Sequence, residues 1–76
     1  MNRTRRKSLA EIQEQLASLL DELETLKDEE EEYRDNIPEN LQSSERYETA
    51  EEACDNLCSA YDSLEEAISY IEEAIG

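Results

Sequence analysis

Apolar side chains recur along this chain at alternating steps of three and four residues. Leu9, Ile12, Leu16, Leu19, Leu23, Leu26, Tyr33 and Ile37 keep the rhythm, with Glu30 as its one charged member. After a gap, Tyr47, Ala50, Cys54, Leu57, Tyr61, Leu64, Ile68, Ile71 and Ile75 take it up again. A mean step of 3.5 residues puts each series on one side of an α-helix and is the pattern of a coiled-coil seam. The expectation is an all-α chain, an antiparallel two-helix hairpin of coiled-coil type that assembles into a four-helix or larger bundle.

The punctuation sets the boundaries. Ser8 with Glu11 three residues on forms a capping box, so the first helix is expected over residues 8–36, behind a basic flexible arm of residues 1–7. Pro38 disfavours the helical conformation in Ile37 and cannot continue the ladder, which leaves residues 37–43 as the turn. Ser43 or Ser44 caps a second helix over residues 44–75, with Glu45 and Glu48 beside its positive end and Gly76 after it. Antiparallel layering then pairs Leu9 with Ile71, Leu16 with Leu64, Leu23 with Leu57 and Tyr33 with Tyr47. This register brings Arg6 near Glu72, Lys27 near Glu51 and Leu20 near Cys58. A slide of one heptad would bring Lys27 to Cys58 and Leu20 to Glu65, a poorer match of charges.

A hairpin of 76 residues buries little apolar surface against the entropy of ordering it, so self-association into a dimer or tetramer is expected. The second helix carries Ala53, Ala60, Ala67 and Ala74 at one repeating position beside its seam. With Leu20 and Cys58 as an apolar flank, that row is the candidate oligomer interface. The plainer account is that alanine is the best helix former beside a core.

Charge narrows the partners. Twenty-two Asp and Glu against seven Lys and Arg give a net charge of -15, and no cation follows Arg46. Such a surface repels nucleic acid and anionic lipid and attracts a basic protein surface. Glu29, Glu31 and Glu32, with Glu51, Asp55, Asp62, Glu65 and Glu66, are the candidate protein-binding acids. A highly charged exterior is also what any soluble coiled coil has. The four cations Arg3, Arg5, Arg6 and Lys7 are expected to neutralise Glu72, Glu73 and the negative end of the second helix. No apolar run approaches the roughly 20 residues that cross a bilayer, and no signal-type stretch follows the basic start, so a cytoplasmic protein is expected, with no membrane partner.

Little else carries chemistry. Glu30 interrupts the first seam opposite Ala50 in this register, as a specificity device or simply as a solvated carboxylate at the hairpin end. Tyr33, Arg34, Arg46 and Tyr47 cluster near the turn and form a candidate nucleotide-binding group, although such residues more often pack and pair with nearby acids. Cys54 and Cys58 are four apart on one helix, which suits neither a disulfide nor a zinc-finger spacing, and reduced thiols are expected. The acids lie on solvated faces and there is no histidine, so neither catalysis, a metal nor a cofactor is implied.

The segment from Asp35 to Tyr47, with its Asn36-Ile37-Pro38-Glu39-Asn40 turn and the acidic alanine-rich helix after it, resembles small uncharacterised proteins of bacteriophages and prophages of Gram-positive bacteria. The likeness covers most of the chain, and the turn is its specific part. The resemblance implies a bacterial host cytoplasm and a small non-enzymatic protein that counteracts host defence. The expected function is therefore an oligomeric helical binder that inhibits a basic, defence-related or nucleic-acid-binding host protein through its acids. A sponge for a nucleotide signal and a structural or scaffolding phage protein are the alternatives.

Overall fold

The computed structural model describes all residues, 1–76. Helix α1 runs Arg3–Asp35, a 3-10 turn follows at Glu39–Leu41, and helix α2 runs Glu45–Ile75. The two helices pack against each other into a rod of 59 × 15 × 13 Å. The all-α hairpin expected from the two series is the observed fold.

Helix α1 starts five residues earlier than the capping box at Ser8 implies. Asn2 is the cap, its Oδ1 accepting from the Arg5 N–H at 2.7 Å. Residues 3–7 are thus helix rather than a flexible arm, because Arg and Lys are good helix formers and a competent cap precedes them. No acid lies in that first turn, so its cations face the positive end of the helix dipole. At the other end Asn36 closes the helix, its N–H donating to the Glu32 carbonyl at 3.0 Å. Ser44 caps α2, its Oγ accepting from the Tyr47 N–H at 3.3 Å.

Burial follows the expected seam on α2 and departs from it on α1. Every α2 member from Tyr47 to Ile75 is buried or half-buried. On α1 the half-buried residues are Leu9, Leu16, Leu23 and Glu30, as expected, but with Gln13, Leu20, Lys27 and Arg34 rather than Ile12, Leu19, Leu26 and Tyr33, and with Glu31 beside them. Those four apolar side chains are exposed, Leu19 at 53% and Leu26 at 58%. The helix is rolled by about 50° about its axis, which carries Lys27 and Arg34, its two mid-chain cations, toward the partner helix.

The register also differs from the one the flanking charges favour. Lys27 sits with Cys58 and Tyr61 rather than with Glu51, its ammonium 5.7 Å from the Tyr61 ring centre. Lys27 with Cys58 is the pairing of the one-heptad slide, while at the turn end Glu30 keeps its expected neighbour Ala50 and Arg46 bonds to Tyr33, so the offset from the expected register is less than a full heptad. Three contacts hold it: Lys27 over the Tyr61 face, the Cys58 thiol donating to Glu31 at 3.5 Å, and the Tyr61 hydroxyl donating to Glu24 at 3.3 Å. Extended along the rod, this register sets Leu9 level with Gly76, so the first turns of α1 project past the end of α2. Arg3, Arg5, Arg6 and Lys7 accordingly make no ion pair within 4.0 Å.

The fully buried residues all lie at the turn end: Ile37, Ala50 and Cys54, the last at 1% exposure. Ile37 leaves the helix because of Pro38, and the Ile37 N–H still donates to the Arg34 carbonyl at 3.2 Å.

Candidate functional site

A hairpin has two broad sides, and here they differ in chemistry. On the first, the exposed row Ile12, Leu19, Leu26 and Tyr33 of α1 runs beside the alanine row of α2. Tyr33 and Ala53 line one open groove with Glu30, Glu45, Arg46, Thr49 and Ala50. Because both rows repeat every seven residues, the adjacency of Tyr33 and Ala53 carries down the rod to Leu26 with Ala60, Leu19 with Ala67 and Ile12 with Ala74. The next row outward on α2 is Thr49, Asn56, Ser63 and Tyr70, which holds no charge.

The second side is acidic. Glu24 and Lys27 of α1 with Cys58, Tyr61 and Asp62 of α2 line a groove there. Nearer the turn, Glu48, Glu51, Glu52 and Asp55 surround Tyr47 and Gln42. The cations on this side are already engaged. Lys27 contacts Asp28 at 3.2 Å and Glu31 at 3.5 Å, and Arg34 contacts Asp35 at 3.1 Å. Hydrogen bonding to Asp28 holds the Lys27 ammonium above its ordinary range, and hydrogen bonding to Asp35 does the same for Arg34. The acids beyond them are left to face solvent.

The candidate protein-binding acids therefore do not form one face as a set. Glu51, Asp55 and Asp62 lie in the two acidic grooves, and Glu65 and Glu66 are exposed on the same helix. Glu66 also accepts from the Tyr70 hydroxyl at 3.1 Å. Glu31 is half-buried and held by Lys27 and Cys58, so it shapes the groove more than it presents charge. Glu29 and Glu32 are exposed, yet at about 100° per residue they point away from Glu31 around α1. Glu24 is the member that sequence reasoning missed. It precedes Glu31 by one heptad, and that spacing was the available signal.

The candidate interface residues divide likewise. Ala53 is half-buried and Ala60, Ala67 and Ala74 are exposed on the apolar side. Leu20 is half-buried in the α1 row turned to α2, and Cys58 opens onto the acidic groove. Neither belongs to the alanine side, because the roll of α1 takes Leu20 into the seam.

The four-residue ligand cluster is split by the hairpin. Arg46 Nε donates to the Tyr33 hydroxyl at 2.8 Å, its guanidinium 5.4 Å from that ring, on the apolar side. Arg34 is turned to the other flank, toward Cys54 and Tyr47, and pairs with Asp35. The Tyr33–Arg46 pair thus stands on one flank and Arg34, paired with Asp35, on the other, rather than all four around one pocket. Glu30 is half-buried in the groove with Ala50, the neighbour its position predicted.

Both cysteines are free. Burial pushes the Cys54 thiol up; burial, then the hydrogen bond to Glu31, pushes up that of Cys58. Both are thereby kept protonated and weakly nucleophilic. No group of three or more His, Cys, Asp and Glu side chains is placed to hold a metal ion, and no helix is long and apolar enough to cross a membrane.

No family model matches this chain, and no curated protein or solved structure matches it significantly.

Proposed function

We propose that this protein is a non-enzymatic helical binder whose acidic side docks on a basic protein surface, in competition with the polyanion which that surface otherwise holds. The observation that carries the reading is the one-sided disposition of charge. Glu24 on α1 and Glu51, Asp55, Asp62 and Glu65 on α2 flank one side of the rod, whose cations Lys27 and Arg34 are already paired with their own acids. Rows of carboxylates at helical spacing on a rigid rod offer a basic groove a fixed array of negative charge. A nucleic-acid-binding protein of the host cell is the partner class that this array suits, and inhibition by occupancy is the mechanism. The nucleotide-sponge alternative has less support, since its four residues stand on two flanks.

The test is competition. A labelled DNA duplex bound to a basic histone-like protein is titrated with the chain, and release is followed by fluorescence anisotropy. Release should weaken steeply between low and high salt, because the attraction is between exposed charges over a Debye length of about 10 Å at 0.1 M. A variant carrying Glu51→Lys, Asp55→Lys, Asp62→Lys and Glu65→Lys should lose it, while equal charge reversal at Glu22, Glu29, Glu72 and Glu73 should retain most of it. Equal loss from both sets would reduce the effect to net charge and sink the proposal.

A further inference from the structure

The apolar side of the rod is covered by nothing within the chain, and its composition indicates what fits it. We infer that it is the interface of a homodimer, in which two hairpins pack face to face about a twofold axis parallel to the rod, with their turns at the same end.

Three observations support a second copy as the occupant. The leucine and alanine rows run in parallel over residues 12–33 and 53–74, about 32 Å at 1.5 Å per residue, a strip matched in length by the same strip of a second copy. Beyond the turn its two α2 rows, Ala53 to Ala74 and Thr49 to Tyr70, hold no charge on a chain of net charge -15, whereas a basic partner would be drawn to the opposite side. Finally, it is self-complementary. The large side chains of α1 run beside the alanine row of α2, Tyr33 sharing one groove with Arg46 and Ala53 of that row. An axis along the rod sets α1 of one copy opposite α2 of the other at the same level. The leucine of one hairpin then meets the alanine of its partner, Leu19 against Ala67 and Leu26 against Ala60, in a four-helix bundle with antiparallel neighbours throughout. The reversed arrangement would set leucine row against leucine row and alanine row against alanine row, at two unequal helix spacings.

The same axis accommodates the projecting basic turns. At that end the first turns of both α1 helices, with Arg5 and Arg6, alternate with the two α2 C-termini and project past them, so the cations lie beyond the negative ends of both α2 helices. The acidic sides of the two hairpins point outward in opposite directions. The inference stands apart from the partner-binding reading, and salt separates them: screening should strengthen the dimer, because each copy carries -15, while it weakens capture of a basic partner.

Light scattering across a dilution series in reducing buffer tests it. The expected mass is twice that of the 8.8 kDa chain, with a melting temperature that rises with concentration. Leu19→Glu with Leu26→Glu should give a monomer that keeps its helical circular dichroism. Should that variant unfold, Ala60→Lys with Ala67→Lys, at exposed positions and with a good helix former, reads the same face. Asp62→Lys, on the other side, should leave the mass unchanged. A helical wild-type monomer throughout, or a dimer that survives both face variants, overturns the interface. Spin labels on Asn40→Cys, in a chain with Cys54→Ala and Cys58→Ser, read the orientation. A label separation well under half of the 59 Å rod is expected, and one near its full length overturns the parallel axis.

Discussion

Replacement of Ile37 by alanine should be among the most damaging single truncations in this chain, although Ile37 lies outside both helices. It is 3% exposed, and it is the only large aliphatic side chain buried to that degree. Alanine removes three carbons, worth about 0.8 kcal/mol each in transfer alone, or roughly 2.4 kcal/mol. A residual cavity would raise that figure toward the usual range of about 2–5 kcal/mol for such truncations, but the turn is bordered by solvent and can collapse. About 2–3 kcal/mol is therefore expected. A domain of 76 residues has on the order of 4–11 kcal/mol in total, so the loss is a large fraction. Urea unfolding followed by far-ultraviolet circular dichroism, at one fixed chain concentration, measures it. With a slope near 1 kcal/mol per molar, suited to so small a domain, the midpoint should fall by about 2 M. The matched control is Leu41→Ala in the same turn, where the side chain is 40% exposed and the cost should stay below about 1 kcal/mol. A shift under about 0.5 M for Ile37→Ala, or equal shifts for the two, would refute the claim that the turn holds the core.

Ser44→Ala removes the acceptor of the Tyr47 N–H and should cost about 1 kcal/mol, seen as a lower melting temperature, while Ser43→Ala should be close to neutral. The folded-state pKa values of Cys54, Cys58, Tyr61 and Lys27 are all raised, so the native chain holds protons that the unfolded chain has released. The stability tied to these groups is complete below their ordinary pKa values and is lost as pH rises through the raised ones, so urea midpoints should fall between neutral pH and the alkaline range above about 9. A midpoint that climbs there would contradict the assignment. Glu31→Gln removes the charge that opposes the Cys58 thiolate, so alkylation of Cys58 by iodoacetamide at mildly alkaline pH should quicken, while Cys54 stays slow behind its burial. An unchanged Cys58 rate would dissociate the thiol from Glu31.

Helix α2 was legible in the sequence almost residue by residue, because its apolar series has a single partner surface and Ser44 marks its start. Helix α1 was legible as a helix but not in its rotation. A 3,4 series locates an apolar arc; it does not determine which edge of that arc meets the partner. Here Leu20 extends the arc to one side and Ile12, Leu19, Leu26 and Tyr33 to the other. Lys27 and Arg34 end on the inner side, where both pair with acids of α1 itself and Lys27 meets α2 through the Tyr61 ring. The register departs from the expected one for a related reason. Pairing flank charges one against one omits the attraction of Lys27 for the face of Tyr61 and the thiol donor that Cys58 offers to Glu31. Ser8 is a good cap and so implies an arm before it, yet Asn2 is equally good, and the cations between them are good helix formers. Of the candidate sites, the alanine row was readable as a row, while the acidic set was not readable as a face until the rotation of α1 was known.

That rotation links the two functional readings. An acidic coat serving solubility alone has no reason to spare one side of a rod, yet the α2 row Thr49, Asn56, Ser63 and Tyr70 has no acid while the row Glu48, Asp55, Asp62 and Ser69 on the other side has three. On α1 the acids that border the apolar side are Glu22, Glu29 and, at the turn end, Glu30. Had α1 presented its leucine row to α2, those leucines would be sequestered and the hairpin would have no apolar side left to offer. Rolling it instead uses Lys27 and Arg34 to anchor the acidic side and leaves the leucines beside the alanines. The cations that secure the hairpin thus also neutralise the inner edge of the acidic side, so the charge available to a partner is concentrated on the outer rows of α2, around Asp55, Asp62 and Glu65. In the dimer those rows lie on opposite outer surfaces, each free to hold a basic partner without disturbing the contact that joins the two chains.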